Sequence, residues 1–304
     1  MHPSELQQAY RDGTNISALL RSRTPGGLPS EETIEVVYDL QSGAYVRALA
    51  NPQLKAHKIR YGRKIAALLA ELGPVSSLLE PGIGEGTSLS FVLEAMPTPP
   101  AVVHGFDLAW SRVDCARRWL AGRGWNDVFL SVARLSQIPY RDNSFDVVLT
   151  SHAIEPNRGQ EEVLLRELYR VAARHVVLLE PGYELAGDAE RARMDQHGYC
   201  RGLAEKARAL GMNVVRHELL GESANPLNPT ALTLIEKDPQ ASPASPVLAC
   251  PCFGDPLERE ADAYYSAASL RAYPILRGIP CLRPEKALVA ARYLEVPLTA
   301  PALS

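Results

Sequence analysis

The sequence predicts an α/β protein in which a parallel sheet carries helices on both faces. From residue 55 to residue 180, short apolar segments alternate with amphipathic segments of helical length, and this alternation is typical of parallel sheets. The first apolar segment also ends in three alternating glycines, Gly82, Gly84 and Gly86. Such a turn between a strand and a helix lets the backbone approach a ligand, so we expect a binding site at the carboxyl ends of the strands.

Residues 1–50 are predicted to form a helical arm, either partly ordered or closing over the ligand site as a lid. Glycine and proline in the first part of this segment permit only short helices, such as residues 16–21. A longer helix begins at Ser30, which two acidic residues follow. It runs toward Tyr38 and Tyr45, which are seven residues apart and therefore expected on one helical face.

The next predicted element is an amphipathic helix at residues 55–72, with Lys58 and Arg60 on its polar side and an apolar side that covers the sheet. The predicted strands that follow are residues 75–79, 102–107, 128–132, 145–150 and 175–180. The helices between them are residues 88–93, 111–121 and 161–171. A further helix and two further strands are predicted at residues 201–211, 213–219 and 231–236.

Two carboxylates accompany the glycines. Glu80 ends the first strand, and Asp107 ends the second strand about 20 residues beyond the glycine turn, where a ribose diol would be bound. The glycine spacing is one residue shorter than the dinucleotide pattern G-x-G-x-x-G. Residues 80–86 resemble instead the E/D-x-G-x-G-x-G loop of the class I S-adenosylmethionine-dependent methyltransferases, whose second strand also ends in an acidic residue.

The resemblance extends over residues 35–237. Residues 141–152 are similar to the fourth strand of that family, and residues 174–181 are similar to the fifth. The resemblance implies a Rossmann-like, seven-stranded methyltransferase sheet closed by an antiparallel pair of strands. It also implies a methyltransferase domain at residues 51–237 and S-adenosylmethionine as the cofactor.

The family's pattern assigns roles to individual residues. The glycines admit the cofactor, Glu80 orients the turn and attracts the cofactor's ammonium, Asp107 binds the ribose hydroxyls and Leu108 packs on adenine. Relatives place an acid after the third strand to meet the adenine amino group, but this chain has Ala133 and Arg134 there, so backbone groups are expected to replace it. The implied cofactor-binding residues are Tyr38, Tyr45, Glu80, Gly82, Gly84, Gly86, Asp107, Leu108, Ala133, Arg134 and Ser151.

His152 and Glu155 follow the fourth strand, on the side of that fold where the methyl group is transferred. They are the predicted catalytic residues, acting as a base or as orienting groups for the acceptor. The alternative is that His152 only packs against the cofactor and Glu155 caps the next helix. Tyr38 and Tyr45 likewise have two interpretations, since an aromatic face stabilises a sulfonium cation but also serves as ordinary packing.

The end of the chain has a different character. Residues 238–246 are a proline-rich linker, and residues 247–304 resemble the small zinc-ribbon proteins that partner methyltransferases. The expected C-P-x-C is shortened here to Cys250-Pro251-Cys252, the second cysteine pair is missing, and Cys281 completes only three ligands where a structural zinc takes four. We therefore predict no metal and a degenerate ribbon that docks or stabilises.

Composition excludes several other classes. The formal net charge is −3, so nucleic acid is an unfavourable partner and a membrane surface is not expected. No apolar run is long enough to cross a bilayer, residues 1–5 lack a signal-peptide core, and five cysteines at scattered spacings fit a reducing compartment. The expected location is cytoplasmic.

These observations favour a methyltransferase that acts on a small-molecule acceptor. One alternative is a cyclase that consumes S-adenosylmethionine and releases methylthioadenosine, forming azetidine-2-carboxylate. Others are a methyltransferase of RNA or protein, and a protein that binds the cofactor only to order a complex. A homodimer or a protein partner through the tail is also predicted, whereas the motifs do not identify the acceptor.

Overall fold

The computed structural model describes residues 3–14, 16, 19, 31–238 and 246–295. Only residues 16 and 19 of the predicted helix at residues 16–21 are described, and the Ser30 cap and linker residues 239–245 lie outside the described residues. Among the helices that are described, none has both the length and the apolar composition needed to span a bilayer.

The helices and strands have the following bounds. The α-helices are α1 (Pro3–Arg11), α2 (Glu31–Leu40), α3 (Ala44–Ala48), α4 (Pro52–Glu71), α5 (Thr87–Ala95), α6 (Trp110–Ala121), α7 (Glu161–Val171), α8 (Asp188–His197) and α9 (Leu203–Ala209). The strands of the first sheet are β1 (Ser77–Pro81), β2 (Val102–Asp107), β3 (Phe129–Val132), β4 (Phe145–Ser151), β5 (Ala172–Pro181), β6 (Asn213–Leu219) and β7 (Thr230–Glu236). The strands of the second are β8 (Glu258–Arg259), β9 (Ala263–Ser266), β10 (Arg271–Leu276), β11 (Ile279–Pro280) and β12 (Leu288–Val289).

The first sheet has seven strands in the order β3-β2-β1-β4-β5-β7-β6. Strands β1 to β5 pair in parallel, whereas β7 runs antiparallel to both β5 and β6. This topology confirms the predicted seven-stranded, Rossmann-like sheet. The order of the strands reverses beside β1, so the carboxyl ends of β1, β2 and β4 enclose the crevice where ligands bind in such sheets.

The core lies on both faces of this sheet. Neighbouring residues of the central strands alternate between the two faces, with Leu78 in the cluster beneath α4 and α5 and Leu79 in the cluster beneath α7. Val147 and Val148 divide in the same way. Because both faces are covered, these strands appear in the sequence as continuous apolar runs.

Helices α2 and α3, which line the cavity described below and are called the lid, differ from the sequence prediction. Tyr38 and Tyr45 do not share one helical face, because α2 ends at Leu40 and α3 begins only at Ala44. Gly43 between them has a φ of 85°, a left-handed conformation that ends one helix before the next begins. The prediction that Tyr38 and Tyr45 lie on one helical face is therefore wrong.

Helix α4 begins three residues earlier than predicted. Asn51 caps it, since its side chain accepts a hydrogen bond from the Gln53 N–H at 2.9 Å, and Pro52 occupies the first helical position. This combination of cap and proline is a standard start signal. The earlier start matters because the first three turns of α4 form a wall of the ligand cavity.

Residues 246–295 fold around the small second sheet and dock on the β3 edge of the first. The Leu282 N–H donates to the Val132 carbonyl at 2.8 Å, and the Ala249 N–H donates to the Pro139 carbonyl at 3.0 Å. The module has its own core of Cys250, Leu257, Tyr264, Tyr273 and Leu282. Docking covers an edge that would otherwise expose unpaired backbone groups.

The crossing of α4 over α5 is fixed by a glycine. A Cβ added to Gly62 would lie 2.7 Å from the backbone carbonyl atoms of Phe91 in α5. Backbone atoms in a packed helix cannot move aside as a flexible side chain can. Gly62 therefore sets the distance at which α4, and the cavity wall it carries, meets the glycine turn.

We expect Gly62→Ala to lower the free energy of unfolding by about 1–3 kcal/mol, although alanine favours a helix by about 1 kcal/mol. Denaturant unfolding measures this change. Arg63→Ala, at an exposed position of the same helix, is the control and should stay within about 0.5 kcal/mol. A Gly62→Ala protein that is more stable than the wild type would show that the helices separate freely.

Candidate functional site

A cavity of about 520 Å³ lies at the carboxyl edge of the sheet, within the range of about 300–1,000 Å³ that is typical of small-molecule sites. The glycine turn, the loops after β2 and β4, helices α2 to α4 and the loop between β6 and β7 enclose it. Nearly all the residues predicted from the sequence line it: Tyr38, Tyr45, Glu80, Gly82, Gly84, Asp107, Leu108, Ala133, Arg134, Ser151, His152 and Glu155.

Gly86 is the one predicted site residue that does not line the cavity. All three glycines of the turn have left-handed backbones, with φ values of 71°, 59° and 68° for Gly82, Gly84 and Gly86. Gly86 starts α5 and faces Leu120, whose nearest atom would lie 3.2 Å from an added Cβ. Its role is thus helix packing behind the cavity, whereas Gly82 packs against Ala153 on the cavity wall.

Asp107 holds the glycine turn in place. Its carboxylate accepts hydrogen bonds from the Gly84 N–H and the Ala109 N–H, each at 3.0 Å. Burial raises the pKa of Asp107, and the Arg112 charge and these backbone hydrogen bonds partly oppose the rise. The Ala133 N–H already donates to the Asp107 carbonyl at 3.1 Å, so it is not free to meet a ligand.

Arg112 is a cavity residue that sequence reasoning missed. It is 4 % exposed, and its guanidinium lies 4.2 Å from the ring centre of Tyr38 and 4.8 Å from that of Tyr45. Its Nε also donates to the Tyr38 carbonyl at 3.1 Å. Both predicted aromatic residues thus face a cation that belongs to the protein, which neither interpretation of them included.

The lid is fastened to the glycine turn by Glu85. The Glu85 carboxylate accepts hydrogen bonds from the Val46 N–H at 2.7 Å and the Tyr45 N–H at 3.3 Å. Both N–H groups belong to the first turn of α3, where they have no carbonyl partner within the helix. A residue in the centre of the predicted motif therefore caps a lid helix almost 40 residues earlier in the sequence.

The lid also meets the C-terminal module. Glu31 and Glu35 of α2 form ion pairs with Arg283, at 3.3 Å and 2.6 Å. Glu31 also pairs with Arg134 at 3.3 Å, and Glu285 pairs with both arginines. We call these five residues the clamp. It joins the lid, the loop after β3 and residues 246–295 at one point beside the cavity.

Lys58 and Glu80 both line the cavity wall, and each affects the pKa of the other. Burial raises the pKa of Glu80 to about 8, and Lys58 partly opposes this. Burial lowers the pKa of Lys58, and Glu80 partly opposes that. Lys58 donates to Ser88 Oγ at 2.7 Å, but Glu80 Oε2 has no hydrogen-bond partner among the described residues.

This pair suits a ligand that carries both an ammonium and a carboxylate, as an amino acid does. The ligand carboxylate would pair with the Lys58 ammonium, and the ligand ammonium would contact the unpartnered Glu80 oxygen and favour the ionised form of that carboxyl group. Lys58 is one of the predicted polar residues of α4, but the amphipathic pattern did not identify it as a residue of the cavity lining.

His152 and Glu155 contact each other, as a catalytic pair requires. His152 Nδ1 lies 2.6 Å from Glu155 Oε2, and His152 Nε2 lies 2.9 Å from Thr230 Oγ1. Burial is the largest effect and lowers the pKa of His152, but the hydrogen bond to Glu155 and the charges of Glu155 and Glu180 together raise the pKa above its ordinary value. Both ring nitrogens are therefore engaged within the protein.

The backbone beside this pair is held by Glu180. Its carboxylate accepts hydrogen bonds from the Ala153 N–H at 3.0 Å and the Glu155 N–H at 3.1 Å, and burial raises its pKa to about 7. His152 itself has a φ of 56°, an uncommon value for a side chain of this size. The loop after β4 is thus a fixed polar wall.

A second pair of histidine and glutamate, which was not predicted, joins α4 to the loop between β6 and β7. His57 Nδ1 of α4 lies 2.6 Å from Glu222 Oε1 in the loop between β6 and β7. Arg60 donates two hydrogen bonds to the same carboxylate, at 3.1 Å and 3.2 Å. One turn later Tyr61 Oη lies 2.9 Å from Ser151 Oγ, so α4 is tied to the end of β4.

The cysteines of the C-terminal module lie near a tyrosine. Cys250 Sγ is 3.1 Å and Cys252 Sγ is 3.8 Å from Tyr273 Oη, whereas Cys281 Sγ contacts the Ile279 carbonyl. Over the described residues, no three metal-binding side chains come together. The absence of zinc stays a prediction.

Comparisons with known proteins agree with this fold. Residues 78–175 match the family model of the methyltransferase domain. A search of curated proteins finds no significant match.

Several solved structures share the fold at low sequence identity. The magnesium protoporphyrin IX methyltransferase ChlM of Synechocystis PCC 6803, with bound SAH, is 14 % identical; the match covers 69 % of this chain and 100 % of that chain, with a TM-score of 0.53. The (4+2)-cyclase SpnF is 17 % identical over 70 % of this chain and 98 % of that chain, with a TM-score of 0.53. A chain of the Haloferax volcanii complex that contains the Trm112 methyltransferase activator is 15 % identical over 64 % and 96 %, with a TM-score of 0.50. At these identities the likeness establishes the fold.

The raised pKa of Glu80 predicts a pH-dependent stability. The folded state retains a proton on Glu80 up to a pKa of about 8, whereas the unfolded chain loses it near 4.5. Stability is therefore fully present below the lower value and is lost as the pH rises to the higher one, by at most about 1.4 kcal/mol per pH unit. Glu80→Gln removes this loss, so its melting temperature should increasingly exceed that of the wild type across this range.

Thermal unfolding at a series of pH values measures the difference between the two proteins. Glu162→Gln, at an exposed position of α7, should follow the wild type at every pH. Parallel curves for Glu80→Gln and the wild type would contradict a buried, proton-retaining Glu80.

Proposed function

Since residues 78–175 form a methyltransferase domain on a class I sheet, we propose that this protein transfers the methyl group of S-adenosylmethionine to a small-molecule acceptor. S-adenosylmethionine, the cofactor of this family, supplies a methyl group already activated by a positive sulfur. The protein's main task is then to align the acceptor with that group.

The observation that carries the proposal is the distribution of polar groups along one cavity. Asp107 and Leu108 lie at the end of β2, where the family binds adenosine. The Lys58 ammonium and the Glu80 carboxyl group would contact the carboxylate and the ammonium of an amino acid, respectively. The orphaned Glu80 oxygen is what the ammonium of S-adenosylmethionine would satisfy. The residues present therefore fit the cofactor.

The remaining walls are available for the acceptor. His152 and Glu155 are held by Thr230, Asn228 and Glu180, and we assign them the role of orienting the acceptor. The cavity has the volume of a small-molecule site, which supports a small acceptor over RNA or protein. The net charge of −3 points the same way.

One observation favours a second candidate, the cyclase that releases methylthioadenosine. Glu80, whose pKa burial raises to about 8, would in its ionised form take a proton from the cofactor's ammonium. The cofactor would supply the rest of the chemistry, namely attack of its amine on its own γ-carbon with the electron pair of the broken bond remaining on sulfur. The structural neighbour SpnF is itself named a cyclase, so the fold is compatible with chemistry other than methyl transfer.

We also propose that residues 246–295 stabilise the lid through the clamp. Arg283 is 4 % exposed and pairs with three carboxylates, so the module holds α2 beside the cavity. A partner or second copy bound through this module stays a prediction.

Calorimetric titration and product analysis test the main proposal. The purified protein should bind S-adenosylmethionine, and with an accepted substrate it should yield S-adenosylhomocysteine. Release of methylthioadenosine without an acceptor would favour the cyclase. A folded sample that does not bind S-adenosylmethionine would contradict both.

Lys58→Met should weaken S-adenosylhomocysteine binding about tenfold or more, because a charged hydrogen bond to the ligand carboxylate is lost. Methylthioadenosine lacks the amino-acid group, so its affinity should change by less than about twofold. Calorimetry compares the two ligands, and Lys55→Met, at an exposed position of the same helix, serves as the control variant. Equal weakening of both ligands would place Lys58 away from the amino-acid end.

Arg283→Met should reduce the free energy of unfolding by more than the roughly 1 kcal/mol of a surface ion pair, because three partly exposed carboxylates lose one buried cation. It should also weaken S-adenosylhomocysteine binding through loosening of α2. Arg292→Met removes a surface pair with Glu295, which contributes at most about 1 kcal/mol. Unchanged cofactor affinity in Arg283→Met would separate the clamp from the site.

A further inference from the structure

We propose that His57, oriented by Glu222, is the base that takes the acceptor's proton during methyl transfer. The inference rests on the proposed methyltransferase function and adds a catalytic residue to it. It also restricts the acceptor to a group that has a lone pair and loses a proton on methylation, such as a hydroxyl, a thiol or an amine.

The two histidines of the cavity differ in how many of their ring nitrogens contact the protein. His152 uses both ring nitrogens within the protein, Nδ1 with Glu155 and Nε2 with Thr230. His57 uses only Nδ1, with Glu222 at 2.6 Å, and its Nε2 has no hydrogen-bond partner among the described residues. Of these two, only His57 retains a ring nitrogen for a ligand.

The carboxylate fixes which nitrogen that is. An ionised carboxylate only accepts hydrogen bonds, so Nδ1 donates to Glu222 and Nε2 is the ring nitrogen left to contact a ligand. Glu222 remains ionised because the hydrogen bond from Arg60 lowers its pKa, against the opposing effect of burial, and His57 lowers it further. A histidine oriented by a carboxylate in this way is a common general base.

The position of His57 suits this role. It lies on the cavity wall, next in sequence to Lys58, which faces Glu80, and one helical turn before Tyr61, which is bonded to Ser151 at the end of β4. The charged and titratable groups around it are Glu222, Arg60, Lys58 and Tyr61. The loop that carries Glu222 also carries Asn225 and Asn228, which line the acceptor end of the cavity.

The reaction transfers a methyl group to the acceptor and a proton to His57. The lone pair of the acceptor atom forms a bond to the methyl carbon, and the bond between that carbon and sulfur breaks with its electron pair remaining on sulfur. The acceptor's proton passes to His57 Nε2. The resulting imidazolium is stabilised by the Glu222 carboxylate and returns the proton to solvent after the product leaves.

The first test needs no acceptor. Nitrogen-15 NMR of histidine-labelled protein, saturated with S-adenosylhomocysteine, should show His57 as a neutral ring protonated on Nδ1, the less common form in water. The signal is assigned by its absence in His57→Gln. Glu222→Gln should shift His57 toward the Nε2-protonated form, whereas Glu222→Asp should preserve the Nδ1 proton. A wild-type His57 protonated on Nε2 overturns the proposal.

The second test measures turnover with a panel of probes, namely a phenol, an alcohol, a thiol, a primary amine and a carboxylate. For any probe that must lose a proton, His57→Gln should reduce kcat by about 100-fold or more, and Glu222→Gln should reduce it less. Affinity for S-adenosylhomocysteine should stay within about twofold in both. His217→Gln, on β6 outside the cavity lining, is the matched control and should retain full turnover.

The outcomes distinguish a failure of the proposed base from a failure of the proposed methyltransferase function. Wild-type kcat in a folded His57→Gln protein overturns the base, as does methylation of the carboxylate alone, which needs no base. Loss in His152→Gln with no loss in His57→Gln would assign the proton to His152 instead. If the protein binds the cofactor but methylates no probe, the proposed function is contradicted on this panel and the NMR result alone decides the state of His57.

Discussion

The cavity depends on one hydrogen bond between two strand ends. Asp107, the last residue of β2, accepts the Gly84 N–H at 3.0 Å and so fixes a turn whose three glycines all have left-handed backbones. Glu80 precedes that turn and lines the cavity with Lys58, and Glu85 within the turn accepts hydrogen bonds from the lid. A carboxylate that receives two backbone N–H groups keeps its charge more readily than burial alone would allow, so the same contact that shapes the turn supports the ionised state of Asp107.

The sheet and the central site were predictable because they depend on local patterns. Continuous apolar runs identified the buried parallel strands, and the glycine turn with Glu80 and Asp107 located the crevice. Arg112, Lys58 and His57 were missed for one physical reason, since each lies on an amphipathic helix whose charged residues normally face water. They line the cavity, and the contacts that bring the lid to the same cavity, such as Glu85 to Val46, are not encoded in any short segment of sequence.

The same limit explains the error at Tyr38 and Tyr45. Their spacing of seven residues fits one helix, but Gly43 adopts a left-handed backbone and divides the segment into α2 and α3. Both rings then converge on Arg112 from two helices. A cation supplied by the protein changes what the aromatic pair offers to a ligand, because its π faces are already used in part.

The clamp joins the two ends of the described chain, since Glu31 and Arg283 are separated by 252 positions. During synthesis the amino-terminal part emerges first, and domains generally fold as they emerge. The sheet from β1 to β7 is therefore complete before Arg283 leaves the ribosome, whereas α2 gains its buried cation only afterwards. The clamp therefore forms only after residue 283 has been translated, and a copy terminated before it lacks the cation that pairs with Glu31 and Glu35 of α2.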